Sequence, residues 1–525
     1  MSFPSLRRIG QYALYALICI AVLKGIFHLF ALMWFFASGG HAGDAYIYWT
    51  MGRAVLNDLT PYVDVYDNKP PGIFFLSALS IWLFDSGALG FMLNALIVLA
   101  IPILVVAVTY FRLRDLPRKE FCGVLTLSLL FGLLLSLYAS TRNIGWQPEL
   151  YGVFFALLYV CIFAFRTHHI ALGRILLSSF CIFGAVGFKE PFALVFLACA
   201  LILFSKPRSF LYGFLIPLIV SAFSGIVALA FFGMLSGYWN FHLPVMFGGH
   251  ILRATPLWQR GFQLMPMLSN LWEFSPLFPF VLFAVFLLCI WLYRRTSQFA
   301  SRRTLTLIVS TYIIIAAVGL RGTYATNHFA VAVPLYATFL FVMLNSLCVY
   351  FKKGVNILPF LRALLALFAV AILFIPGKYS FHSYAIEIES LKQIEAPARQ
   401  AATALDAILD TCEVERYTFL EDRAYTPYTR HSPRNFYLYS GVEGVVQYHP
   451  LIFDRQMKYF FSSQIIVVKG DAYDYEYRSF EKPVYLEIVD FLGDDFSTTP
   501  WPCASDLPSP PGYTVFYRNI EKAAR

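Results

Sequence analysis

Residues Ala88–Phe111 read ALGFMLNALIVLAIPILVVAVTYF, an uncharged run of 24 residues that stops at Arg112-Leu-Arg114-Asp-Leu-Pro-Arg118-Lys119. A bilayer crossing takes about 20 predominantly apolar residues, and a basic cluster at one end of such a run marks its cytoplasmic side. The two signals recur along the chain. Basic clusters at Arg7/Arg8, Arg166/Arg174, Lys206/Arg208, Arg294/Arg295/Arg302/Arg303 and Lys352/Lys353 separate further apolar runs. The runs predict eleven spans, over 11–36, 88–111, 121–139, 149–165, 175–188, 190–205, 210–232, 276–293, 304–320, 329–350 and 356–376. An odd number puts the N-terminus inside and the C-terminal part outside. Arg7 and Arg8 precede a first run too long for a signal-peptide core and without a small-residue cleavage site, so a retained helix is expected there.

Composition agrees. Of 525 residues 59% are hydrophobic and only 14% charged, where an ordinary soluble domain carries about 25% charge. The runs lack the polar/apolar alternation of an outer-membrane barrel, so the fold class is all-α polytopic. The net charge of +9 is unevenly spread: residues 1–376 hold 25 Lys and Arg against 10 Asp and Glu, and residues 377–525 hold 15 against 21. The basic excess therefore belongs to topology. No basic stripe interleaved with stacking aromatics speaks for nucleic acid.

Gly72–Phe84 is apolar but short. Counting it as a span would move Arg112–Lys119 outside, against the charge rule, so it reads as an interfacial or re-entrant helix. Two domains follow: 1–376, a membrane domain with a large first outer loop at 37–87, and 377–525, a soluble extracytoplasmic α/β domain. In the latter a helix is predicted over Ser383–Leu409, and strands near Tyr417–Leu420, Gln464–Val468, Val484–Val489 and Tyr513–Tyr517. Seven of the nine cysteines lie in apolar segments; Cys412 and Cys503 lie in the tail, where an oxidising compartment allows them to pair if the fold brings them close.

The outer loop concentrates ionisable residues: Gly43-Asp44, then Pro61-Tyr-Val-Asp64-Val-Tyr-Asp67-Asn68-Lys69-Pro70-Pro71. Asp44 is either the cap of a helix beginning at Ala45 or a general base for an attacking hydroxyl. The prolines force an extended backbone at Lys69, whose ammonium either binds a phosphate or snorkels to water beside Asp67. Glu149 opens the fourth span, where the helix dipole favours a carboxylate in any case, or supplies a second acidic group to an outer cavity. Lys189-Glu190-Pro191 interrupts two apolar runs; a structural Lys–Glu pair and a further phosphate ligand are equally good readings. Arg321 and His328 flank an outer turn. The histidines are scattered and no HxxxH or CxxC spacing occurs, so no metal is called for, though a divalent ion is left open. No Walker A or GxGxxG unit is present.

The order of these pieces, GDxxxYW, then PYxDxxDxKPP, a basic cytoplasmic loop, an outer acidic residue, a Lys-x-Pro turn and an Arg…His pair, resembles the GT-C superfamily of integral membrane glycosyltransferases. Within it the match is to the bacterial branch that includes protein O-mannosyltransferases and the lipid A aminoarabinose transferase. The resemblance covers about Gln11–Pro376, and PYxDxxDxKPP is its most specific part. It implies a sugar donor carried on polyprenyl phosphate, Asp44 as base, and Lys69, Lys189 and Arg321 on the donor phosphate. Asp64, Asp67, Glu149, Glu190 and His328 would be supporting groups. It also implies an inverting single displacement, a lipid, glycan or protein acceptor, and a bacterial inner membrane. The chain departs from the pattern at Asn68, where some relatives keep a metal-binding glutamate, at Glu190, where many have glycine, and at Phe329, where tyrosine is frequent.

Other function classes fit less of the sequence. A flippase or transporter of polyprenyl-linked sugars would also need outer charges and a lipid groove, but repeated halves are not visible. An acyl- or phosphoethanolamine transferase would need a nucleophile in a metal-binding constellation, and a scaffold reading has only the acidic tail behind it.

Overall fold

Each predicted apolar run is helical in the structure, a computed structural model that describes residues 3–41, 44–142, 146–164, 171–246, 264–296, 300–319, 326–352, 357–420, 428–433, 455, 458–469, 493 and 495–519. Among these, seven helices are long and apolar enough to cross a membrane: Arg8–Ala37, Ala88–Leu113, Arg118–Thr141, Pro207–Phe231, Phe278–Arg295, Ser301–Val318 and Asn327–Tyr350. Shorter apolar helices occupy Pro148–Phe163, Leu172–Phe188, Phe192–Leu203 and Leu358–Leu373, and Gly72–Phe84 is the segment read as interfacial or re-entrant. The chain is thus an all-α polytopic membrane protein with a small C-terminal sheet.

Two compact units divide the chain. One comprises Met1–Gly40, Phe91–Gly225 and Ala254–Ile386; the other comprises His41–Gly90, Ile226–Arg253 and Glu387–Arg525.

In the first unit, helices are held by small residues and by hydroxyl groups that serve backbone carbonyls. Prolines inside membrane helices explain two of these bonds. Pro102 has no N–H, so the Val98 carbonyl one turn earlier loses its helical donor. Ser136 from the Arg118–Thr141 helix donates to that oxygen at 2.5 Å. The helices approach closely there: a Cβ on Gly132 would lie 2.9 Å from Pro102 Cα. Pro217 likewise frees the Gly213 carbonyl, and Tyr159 Oη donates to it at 3.0 Å; a π-turn, Leu211–Leu215, precedes the break. Neighbouring side chains that satisfy such carbonyls make proline tolerable where no water reaches. Lys24 Nζ donates to the Leu373 and Ile375 carbonyls at 2.6 and 2.9 Å, closing the C-terminal end of the Leu358–Leu373 helix.

In the second unit, the Asp44–Leu56 and Gly72–Phe84 helices touch through Gly52, where a Cβ would meet Ala78 N at 2.7 Å. The tail begins as a helix at Phe381–Thr411. Its sheet comprises β1 (Tyr417–Leu420), β2 (Ile465–Lys469), β3 (Phe496–Ser497) and β4 (Tyr513–Arg518) in the order β1-β2-β4-β3. The β1/β2 pair is parallel, and β4 is antiparallel to both of its neighbours. Ile465–Val468 are buried on both faces, as their unbroken β-branched run requires of a central strand. A disulfide joins Cys412, just past the helix, to Cys503, with Cα atoms 5.5 Å apart. The expected strand at Val484–Val489 lies outside the described residues.

Candidate functional site

The sequence-predicted site residues are shared between the units. Asp44, Asp64, Asp67 and Lys69 belong to the second, and Glu149, Lys189, Glu190 and His328 to the first. Arg321 lies outside the described residues.

In the second unit the first outer loop is built around Tyr62. Thr60 N–H donates to the Asp64 carboxylate at 2.8 Å, and Asp64 N–H returns a bond to the Thr60 carbonyl at 2.8 Å. This reciprocal pair closes a tight turn that carries Tyr62 at φ +67°, so Asp64 is a fold-making residue. Tyr62 is fully buried and its hydroxyl donates to the Lys69 carbonyl at 2.6 Å. That bond, with the Pro70-Pro71 pair behind it, fixes the backbone from which the lysine projects. The Lys69 ammonium lies 3.3 Å from Asn68 Oδ1 and 5.9 Å from the centre of the Tyr48 ring, and the residue is 6% exposed. A cation so desolvated acts more strongly on an anion than one in water. Asp67 is fully buried, and neither of its carboxylate oxygens has a hydrogen-bond partner among the described residues.

Asp44 is half-buried and opens the Asp44–Leu56 helix, where the dipole favours a carboxylate. The flanking residues form a group that the sequence did not bring together. His41, buried, lies 3.4 Å from the Glu395 carboxylate, and its ring contacts those of Tyr46 and Trp49 at 5.0 and 5.1 Å. Arg399, one helical turn beyond Glu395, stacks over Tyr428 at 4.1 Å. Burial first, then the Glu395 charge, pushes the Tyr428 phenol above its usual pKa, so it stays protonated. Arg455 donates to the Val63 carbonyl at 3.1 Å and covers the Phe241 ring at 3.9 Å. Contacts between residues hundreds of positions apart leave no local pattern to read.

In the first unit a second cluster assembles where three elements meet. Lys189 follows the Leu172–Phe188 helix in extended backbone, φ −160° and ψ 114°. Phe188 stacks on Tyr151 at 4.6 Å, Tyr151 Oη accepts from Trp146 Nε1 at 2.6 Å, and Trp146 sits at φ +54°. These contacts dock the end of one helix on the start of the Pro148–Phe163 helix and carry Lys189 to Glu149. The ammonium is 2.7 Å from Glu149 Oε1. Asn327 Nδ2 donates to the same oxygen at 3.0 Å, and His328 Nε2 lies 3.9 Å from it. Glu149 and Lys189 are both buried. Glu190, half-buried, begins the next turn, its carbonyl accepting from Ala193 N–H at 3.0 Å. The cluster therefore joins Glu149, Lys189 and His328, and adds Asn327, a residue the sequence had passed over beside His328.

Among the described residues no group of three or more His, Cys, Asp and Glu side chains gathers as a metal would require.

No family model and no curated protein matches the sequence. Two solved structures resemble the chain along its length. ArnT from Cupriavidus metallidurans bound to undecaprenyl phosphate is 13% identical, covering 95% of this chain and 98% of that one, with a TM-score of 0.50. The same protein in the apo state is 12% identical over 98% and 99%, with a TM-score of 0.48. At such identity the first likeness is one of fold, and the GT-C-like fold implied by the sequence resemblance is the fold found.

Proposed function

We propose that this chain is a membrane glycosyltransferase that takes a sugar from a polyprenyl-phosphate-linked donor and places it on an acceptor hydroxyl at the extracytoplasmic face. The observation that carries the reading is the fold, shared over nearly the whole chain with an ArnT structure that holds undecaprenyl phosphate. The PYxDxxDxKPP segment and the buried, backbone-anchored Lys69 give it chemical content.

In this reading Asp44 takes the proton of the attacking hydroxyl. The hydroxyl oxygen forms the new bond to the anomeric carbon as the bond to the phosphate oxygen breaks, and the configuration inverts. Polyprenyl phosphate leaves as an anion. Lys69 meets its charge, and the family resemblance adds Lys189 and Arg321 as further cations; fixed cations aimed at developing charge supply the largest catalytic effect in such sites. Lys189 is already paired, so Glu149 aims the ammonium and the phosphate shares it. Asp67 accepts from a donor-sugar hydroxyl. The Cys412–Cys503 disulfide supports an extracytoplasmic tail, since cytosolic thiols are kept reduced, and an inner-membrane location follows from the family branch.

The test uses purified full-length protein in liposomes with a labelled polyprenyl-phosphate sugar and envelope glycolipid extract, followed by mass spectrometry of the product. Asp44→Asn should lower turnover about 10²–10⁴-fold, the range for a general base, with donor binding retained. Lys69→Ala should weaken donor binding. Retention of more than about a tenth of wild-type turnover by Asp44→Asn would remove the base assignment. Movement of the intact donor across the bilayer without a glycosylated product would replace the transferase by a flippase.

A further inference from the structure

A cavity of about 260 Å³ opens within the first unit at the end of the bundle opposite, in chain order, to the Glu149–Lys189 cluster. Its walls include Phe163 and Leu203, the last residues of their helices, Tyr293 and Val349 near the ends of theirs, and Arg303 in the first turn of the Ala300–Val318 helix. Arg112, at the end of the Ala88–Leu113 run, contributes the second guanidinium. These are the basic helix ends that the charge pattern assigns to the cytoplasmic surface.

The composition of the cavity is specific. Two guanidinium groups, the Asn345 amide and the Ser346 hydroxyl share it with an apolar floor. Asn345 Nδ2 is held to the Ala164 carbonyl at 2.9 Å, and Arg303 lies over the Tyr293 ring at 5.2 Å, whereas Arg112 is exposed. The helix dipole explains Arg112, which stands at a C-terminus, but it opposes Arg303 at an N-terminus. Guanidinium is the group suited to a phosphate. The cavity has room for a polar headgroup. Val349 on its wall is 44% exposed, and Phe111 and Tyr110, which precede Arg112 on its helix, are 72% and 46% exposed. A soluble phosphate has no use for that surface, whereas acyl chains do.

We infer that this cavity binds the phosphate headgroup of an anionic lipid of the cytoplasmic leaflet, with Arg112 and Arg303 on the phosphate, Ser346 and Asn345 at the polar headgroup, and the chains along Tyr110, Phe111 and Val349. The site is separate from the proposed transferase chemistry, and its test reads binding alone.

The experiment is native mass spectrometry of the detergent-solubilised full chain titrated with phosphatidylglycerol, with diacylglycerol and glycerol phosphate as further arms. Phosphatidylglycerol should form a one-to-one adduct that weakens as salt rises. The Arg112→Gln/Arg303→Gln variant should bind it at least tenfold more weakly, Arg112→Lys/Arg303→Lys should recover only part of that loss because an ammonium keeps the charge but lacks the guanidinium fork, and the outlying Arg174→Gln should stay within about threefold of wild type. Ser346→Leu replaces the hydroxyl by a larger apolar group that intrudes on the cavity and leaves both arginines, so it should also weaken the adduct; it serves as the second readout if the double variant does not fold. Equal affinity in the double variant or in Ser346→Leu, or diacylglycerol bound as tightly as phosphatidylglycerol, would overturn the site. Displacement of phosphatidylglycerol by an equal concentration of glycerol phosphate would overturn its assignment to a lipid.

Discussion

Lys189 and Glu149 are buried at 2.7 Å from one another, and the pair decides what can be asked of either residue. Removing one member of a buried ion pair leaves an uncompensated charge, which costs about 3–5 kcal/mol. Glu149→Ala should therefore lower the stability of the detergent-solubilised protein by that amount, and Lys189→Met should do the same. The double substitution, Glu149→Leu with Lys189→Met, removes both charges and should recover most of the loss in a thermal or denaturant melt. Activity should not recover with it if Lys189 serves the donor phosphate. Additive losses in the double variant would show that the two charges are stabilised by other neighbours. The sequence offered Lys189 next to Glu190 and left a local pair open. In the fold the lysine turns to Glu149, because the Phe188–Tyr151 stack and the Trp146 bond set the meeting of two helices, and no spacing rule along one chain segment describes that.

Elements were more legible than pairs. Apolar runs bounded by basic clusters located the helices behind the eleven predicted spans, seven of them long and apolar enough to cross a membrane and four shorter. The tail helix and three of the strands were also visible, because β-branched runs such as Ile465–Val468 have one physical use. Strand β3 is two residues long, too short for any period to show. What the runs did not reveal is how helices containing Pro102 and Pro217 remain intact. Each proline frees a carbonyl that a neighbouring hydroxyl satisfies, Ser136 in one case and Tyr159 in the other. A buried acceptor deprived of its donor costs about 1–3 kcal/mol. Ser136→Ala should destabilise the protein by this amount, whereas Pro102→Ala restores the N–H and makes Ser136 dispensable to Val98. In a double-mutant cycle the cost of Ser136→Ala should thus shrink to near zero on the Pro102→Ala background. An unchanged cost there would mean that Ser136 acts through packing instead.

For the whole molecule, charge distribution and covalent chemistry make one joint claim about orientation. Residues 1–376 are strongly basic and residues 377–525 acidic, and the basic clusters sit at one set of helix ends. Placing those ends in the cytoplasm puts the tail on the other side, where its Cys412–Cys503 disulfide would persist. The bridge closes 91 residues of chain and ties the segment after the Phe381–Thr411 helix to the approach to β4; disulfides typically stabilise by about 2–4 kcal/mol, and the chain-entropy relation puts a loop of roughly 100 residues near 4.7 kcal/mol. Cells treated with a membrane-permeant thiol alkylator and then analysed by peptide mass spectrometry should show Cys412 and Cys503 joined and unmodified. An alkaline phosphatase fusion after Arg525 should be active, and one in the Arg114–Lys119 loop inactive. The Cys412→Ser/Cys503→Ser variant should lose stability in its tail, and reductant should bring the wild type down to the same level without further affecting the variant. Alkylated tail cysteines, together with an inactive C-terminal fusion, would invert the molecule in its membrane: the tail would face the cytoplasm, and the basic helix ends with the cavity between Arg112 and Arg303 would face outward.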